Sequence, residues 1–331
     1  MNHFTEMLDE RLEFINEAVE EIKLGNVHSL LSIPTKYALS GGGKRLRPLI
    51  CTTCAEVVGG DWRETKNAFL ALELIHNGTL VHDDIIDEDL FRRGSPSVHL
   101  RFRGKTAILT GDALLSLGLK YAASTGSVGI VERLSETALK MVQGVGLQTF
   151  YRRKVVSEAE YLDINYLKSG SLFESAAAIG GLVGSKRPED HEALAQFGRS
   201  FGNAYQIRDD ICGVYAENSD DDMSKNDLLN GDVSLLYIYA LGAGSMSEED
   251  REFISSIYRG DNEEIDIERV QEIYSYTGAL ERSIRRMKDF AESGRRTLEA
   301  FERSRGRDLL FHLLESYYLN FNPSTRLEVI V

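Results

Sequence analysis

What most constrains this chain is the behaviour of its apolar residues between prolines. Only five prolines occur, at 34, 48, 96, 188 and 323, and along the stretches between them apolar residues recur every three or four positions. That spacing gathers them on one face of a 3.6-residue helix, and no proline interrupts the long runs. Strand-like alternation is scarce. "LLYIYA" at 235–240 reads equally well as buried helix, and no Asn-Gly or Asp-Gly turn is flanked by strands. The expected fold is therefore all-α. With 331 residues and no long Pro, Gly or Ser linker, residues 1–331 are read as a single large helical domain.

Helices are expected over 4–24, 28–40, 48–59, 64–91, 107–124, 129–150 and 158–184. The pattern continues over 189–216, 232–242, 247–258, 266–277, 279–304 and 307–319. Glycines in "SGGGK" close one helix, while Pro48 and Pro188 open others. The polar stretch "AENSDDDMSKNDLLNGD", 216–232, is a loop of a length that usually carries function.

Charge narrows the partners. Acidic residues number 52 against 38 basic, a net charge of −14, which argues against a nucleic-acid or anionic-membrane partner. The first segment is an acidic amphipathic helix with Phe4, Leu8, Leu12, Ile15, Val19 and Ile22 on one face, unlike a signal peptide. No apolar run approaches the length of a membrane span. Three cysteines make no disulfide framework, and Cys51 and Cys54 read as small core residues. A reducing cytoplasm fits.

Three clusters carry chemistry. In "LVHDDIIDEDLFRRG", Asp83, Asp84 and Asp87 stack within one helical turn, which suits Mg2+ held by one or two carboxylates plus substrate phosphate. Asp89 is read as solvated, with an outlying ligand as the alternative. Arg92 and Arg93 follow, with forks that match phosphate oxygens; surface pairing with Asp87 and Asp89 is the alternative. "SGGGKRLRP" offers a glycine turn with Lys44 and Arg47 beside it. It is not a Walker loop, so the choice is between an anion nest and a helix cap with solvated cations. Finally, "QIRDDICG" sets Asp209 beside Asp210 but has Gly213 one turn on, either a metal cluster one ligand short or a polar patch.

"GGGKRLRP", "HNGTLVHDDIIDEDLFRRGSPSVH", "GDALLS", "YLKSGSLF" and "YQIRDD", in this order, resemble the trans-type isoprenyl diphosphate synthases, or polyprenyl synthetases. The resemblance implies an all-helical fold around a deep central cavity, usually homodimeric, with two aspartate motifs facing each other. It implies condensation of isopentenyl diphosphate with an allylic diphosphate, 1'-4 and head-to-tail. Asp83, Asp84 and Asp87 match the first motif, which with Mg2+ holds the allylic diphosphate. Asp209 and Asp210 match the second, Asp209 facing the first motif and Asp210 an outer ligand or hydrogen-bond acceptor. Arg92, Lys168, Ser169 and Gln206 match residues around the allylic group, with serine in place of threonine. Gly43, Lys44, Arg47, His76 and Arg93 match the isopentenyl diphosphate pocket.

The resemblance also locates the floor under the growing chain, one and two turns before Asp83. Gly78, Thr79 and Ile75 stand there, small enough at 78 to imply a product of C20 or longer, unless Gly78 serves helix packing. Two positions depart from the family pattern. Gly213 replaces an aspartate, and Asp232, in "DLLNGDVS", replaces a phosphate-binding lysine, although Asp227 and Gly231 keep the register. A charge pair 4 Å apart at an effective dielectric of ~20 is worth about 4 kcal/mol, so an inward-facing Asp232 needs a compensating cation, for which Lys225 is the candidate. An active synthase leads. An impaired partner subunit draws on Gly213 and Asp232, and a terpene cyclase would have no use for the isopentenyl pocket.

Overall fold

The computed structural model describes residues 3–24, 27–215, 228–261 and 265–323. The first half holds α1 (His3–Glu20), α2 (Ser29–Ser40), α3 (Leu46–Val57), α4 (Lys66–Ile86), α5 (Val98–Phe102), α6 (Gly104–Ala123) and α7 (Val128–Tyr151). The second holds α8 (Glu158–Asn165), α9 (Ser171–Gly184), α10 (Pro188–Tyr215), α11 (Leu235–Leu241), α12 (Glu248–Arg259), α13 (Ile267–Tyr276), α14 (Ala279–Glu299) and α15 (Arg305–Leu314). The all-α expectation holds, with one two-residue hairpin, β1 (Phe91–Arg92) and β2 (Ser95–Pro96), among the described residues. No helix among them is long and apolar enough to cross a membrane.

Local chemistry explains several helix starts. Ser127, Ser157, Ser234, Ser247, Asp266 and Ser304 each accept a backbone N–H in the first turn of α7, α8, α11, α12, α13 and α15. Glu160 returns the favour to the Ser157 backbone, completing a capping box. Pro188 opens α10 as expected, and Pro34 lies inside α2, a helix short enough to bear the lost bond.

Three expected helices end or break elsewhere. The 64–91 segment stops at Ile86, because Asp87 caps α4 and Glu88 turns left-handed at φ 57. The chain then reverses through Arg93 and Gly94, both at positive φ (53 and 72), the pair a tight hairpin turn requires. The 158–184 segment divides at a π-helical turn, Tyr166–Gly170, and the 307–319 segment ends in another, Glu315–Leu319. α5 was not expected as a helix.

α4 packs along α6, α10 lies against α9 and α14, and α3 lies on α9 and α15. Their shared core includes Phe69, Leu72 and Leu74 of α4, Phe173 and Ile179 of α9, and Phe197 and Phe201 of α10, all sealed from solvent. Each such side chain contributes about 1.5–3 kcal/mol of burial. Cys51 and Cys54 are buried in α3, where burial pushes both thiols up, so they are core residues as read. Leu8, Leu12, Ile15 and Val19 bury the apolar face of α1, and Phe4 stacks on His312 at 4.8 Å. This packing holds the ends of α7 and α10 around one cleft.

Candidate active site

Asp83 and Asp84 occupy the last turn of α4, and the Asp87 amide donates to the Asp83 carbonyl at 2.8 Å, so the first motif is stacked as expected. The hairpin brings Arg92 back onto it. Arg92 Nε donates to Asp84 Oδ1 at 2.5 Å and Nη2 to Asp89 Oδ2 at 3.3 Å. Asp89 is therefore buried, at 6 % exposure, and paired, which corrects its reading as a solvated residue. Asp84 is buried at 3 %, and burial, against the pull of Arg92, pushes its carboxyl up to about 6. Burial also pushes Asp83 up, opposed by the charge of Lys168 across the cleft.

Lys168 and Ser169 sit in the π turn, an irregularity often found at functional sites. Its position is fixed by close packing: a Cβ on Gly144 of α7 would fall 2.3 Å from the Lys168 nitrogen. Ser169 Oγ donates to Gln206 Oε1 at 2.8 Å, and Gln206 Nε2 donates to Asp210 Oδ1 at 2.9 Å. Tyr161 Oη donates to the other Asp210 oxygen at 2.7 Å. Burial outweighs these bonds and pushes Asp210 up to about 7. Asp209, its neighbour, is exposed and acts on Lys44 and Arg47 through its charge.

The basic cluster lies beside these carboxylates. Gly43, at φ +129, brings the backbone against the Arg93 guanidinium, which donates to the Gly42 carbonyl. Arg47 Nη1 lies 3.1 Å from His76 Nε2, and its guanidinium is 4.4 Å from the centre of the Phe173 ring. Burial lowers Lys44, then the charge of Arg208; burial lowers Arg47 and Arg93 as well. Burial, then Arg47 and Arg93, holds His76 well below 6.5 and hence neutral. The Nε of Arg47 is buried with no hydrogen-bond partner among the described residues. Crowded cations with an orphaned donor fit an anionic ligand. Arg45 points away, into a buried ion pair with Glu73.

A cleft of about 780 Å³, open solvent included, is bounded by α7, α8, the π turn and α10 and is lined in part by Lys168, Gln206, Asp210, Gly213 and Asp232. Asp232 does face inward, and its partner is Arg152 at the end of α7, with Nε 2.7 Å from Oδ1. Arg152 Nη2 also donates to Asp87. Sequence reading missed Arg152; the signal was "RRK" at 152–154, three cations in an acidic chain. Lys225 and Asp227 lie outside the described residues.

Gly78 and Ile75 face α6. A Cβ on Gly78 would lie 3.1 Å from the Gly111 carbonyl oxygen and from Leu115 Cγ, and Ile75 abuts Gly118. Thr79 donates its hydroxyl to the His76 carbonyl at 2.8 Å. Gly78 thus lies in the close contact between α4 and α6.

No three His, Cys, Asp or Glu side chains among the described residues converge as a cage for a metal. The all-oxygen donor set of Asp83, Asp84 and Asp87 fits a hard cation taken together with phosphate oxygens, as Mg2+ usually is. Fold and site define an all-helical protein that sets clustered carboxylates beside a pocket of crowded cations, an arrangement suited to an anionic ligand. A family model described as polyprenyl synthetase matches residues 28–277, and the chain belongs to that family. It is a prenyltransferase. The chain is 31% identical over 318 residues to the short chain isoprenyl diphosphate synthase of Methanothermobacter thermautotrophicus, covering 94% of each. It is 31% identical over 318 residues to the geranylgeranyl pyrophosphate synthase of Geoglobus acetivorans, covering 94% of this chain and 97% of that one. The crystal structure of polyprenyl synthase from Caulobacter crescentus, complexed with calcium and isoprenyl diphosphate, superposes at TM-score 0.87 with 26% identity, over 98% of this chain and 97% of that one.

Proposed function

We propose that this prenyltransferase condenses isopentenyl diphosphate with an allylic diphosphate, 1'-4 and head-to-tail, to give a trans-polyprenyl diphosphate of C20 or longer. The observation that carries this is the orphaned, cation-crowded pocket of Lys44, Arg47, His76 and Arg93 standing beside an acidic cleft. Two anionic substrates need two such sites, whereas a cyclase needs one. The first pocket, with Gly43, would hold the isopentenyl diphosphate. Arg92, Lys168, Ser169, Gln206 and Lys225 would surround the allylic diphosphate, and Asp83, Asp84, Asp87, Asp209 and Asp210 would carry Mg2+. When bound, Mg2+ supplies positive charge against the charge building on the departing diphosphate. The chain's own part is to hold and orient the two diphosphates and to keep water from the reacting carbons.

The geranylgeranyl synthase relative supports a C20 product. Gly78, Thr79 and Ile75 remain the residues proposed to set the length, acting through the α4–α6 packing. A homodimer of single-domain subunits in the cytoplasm completes the reading. It is supported by one continuous core, by free cysteines, and by exposed apolar residues on α6 and α7, Leu109, Leu119, Leu139, Val142 and Phe150. The impaired-subunit reading loses much of its ground, because Arg152 supplies the cation that Asp232 requires. Chromatography of the products from labelled isopentenyl diphosphate and graded allylic primers tests the reading; a product that stops at C15 removes the length assignment.

A further inference from the structure

The corner where α7, the end of α4 and the segment after residue 227 meet is tied together around one guanidinium. Arg152 grips Asp232 with a two-toothed fork, Nε to Oδ1 at 2.7 Å and Nη2 to Oδ2 at 3.2 Å. The same Nη2 donates to Asp87 of the first motif. The flanking backbone closes the corner: the Arg153 amide donates to the Gly231 carbonyl at 3.0 Å, and Asn230 Nδ2 reaches the Asp87 carbonyl at 3.4 Å. Asp232 has 9 % exposure, so its orientation is set by this pairing and not by solvent.

This chain therefore has aspartate where the resembled pattern has a phosphate-binding lysine, and an arginine from another helix on that aspartate. Of the five N–H donors of a guanidinium, the fork and Asp87 engage three. The two on Nη1 make no hydrogen bond among the described residues. A carboxylate that holds one edge of a guanidinium fixes the direction of the other, and that planar edge matches phosphate oxygens.

Resting on the functional reading above, we propose that Arg152 binds the allylic diphosphate in place of the cation missing at 232, and that Asp232 is its positioning residue. The charge has moved from the segment before α11 to the end of α7, leaving the substrate with a cation at the same corner beside Asp87.

The test uses the full chain and inorganic diphosphate as the probe, with binding measured by calorimetry in the presence and absence of Mg2+, and with KM for each substrate. Arg152→Met should weaken diphosphate binding on the order of 10- to 100-fold and raise the allylic KM alike, while the isopentenyl KM stays put. Arg152→Met/Asp232→Lys, which returns the cation to 232, should recover most of that loss, even if the single variant also melts earlier. Wild-type affinity in Arg152→Met would make the fork a structural latch and overturn the assignment, as would a double variant no better than the single. A wild type that neither binds diphosphate nor turns over would instead remove the functional reading, and this assignment with it.

Discussion

Gly144→Ala probes how finely Lys168 is placed. The added methyl would fall 2.3 Å from the Lys168 nitrogen, 2.7 Å from its Cα and 2.8 Å from the Leu167 carbonyl carbon. These are backbone atoms, so no side-chain rotation relieves the clash, and α7 and the π turn must separate by about 1 Å to restore ordinary contact. Overpacking of that kind costs about 1–3 kcal/mol. At about 2.1 cal/mol/K per residue, 331 residues unfold with an entropy of about 0.7 kcal/mol/K, so Tm should fall by about 1.5–4 °C. With Lys168 in its proposed catalytic role, activity should suffer more, because a displacement of about 1 Å costs on the order of 100-fold. Differential scanning calorimetry and steady-state kinetics on the same preparation check both numbers. Turnover within twofold of wild type, at any Tm, would refute the claim that this packing sets the position of Lys168.

Three further perturbations have defined outcomes. Arg47→Ala should raise the isopentenyl KM by about 10- to 100-fold while leaving the allylic KM unchanged; an equal rise in both would contradict the two-pocket assignment. His76 is held neutral when folded, below its ordinary 6.5, so the unfolded chain gains a proton that the folded chain refuses as pH falls through 6.5. Stability should decline by about 1.4 kcal/mol per pH unit below that point, and His76→Asn should flatten this acid limb in denaturant titrations; an unchanged limb would count against it. Gly78→Phe forces an aromatic ring against Gly111 and Leu115, whose nearest atoms lie only 3.1 Å from the added Cβ. It should lower Tm and shorten the product together, and a full-length product would show that position 78 sets packing alone.

The helices were legible because burial imposes a 3.6-residue period that five prolines leave intact. What escaped were local breaks that leave that period in place. The π turn at Tyr166–Gly170 inserts its irregularity without disturbing the apolar pattern around Leu167 and Leu172, so one helix seemed to run through. The hairpin after Asp87 turns on Arg93 and Gly94, and an arginine at positive φ is not a signal that sequence advertises. Asp89 looked like any acidic surface residue until that hairpin laid Arg92 over it. The residues proposed for the site were named as motif members, nearly all within short quoted runs. Arg152 was not, since its partner lies 80 residues away and only the fold brings the two charges together. The search for a compensating cation was well founded in Coulomb's law; Lys225, its candidate on the loop, lies outside the described residues, and the structure adds Arg152 on Asp232 from another helix.

The most direct test of the account is incorporation of labelled isopentenyl diphosphate by the purified chain, supplied with Mg2+ and an allylic primer. The account predicts elongation to C20 or beyond, abolished by chelating the metal and restored by adding it back. No incorporation with any primer, from a preparation that is folded and metal-replete, would contradict it.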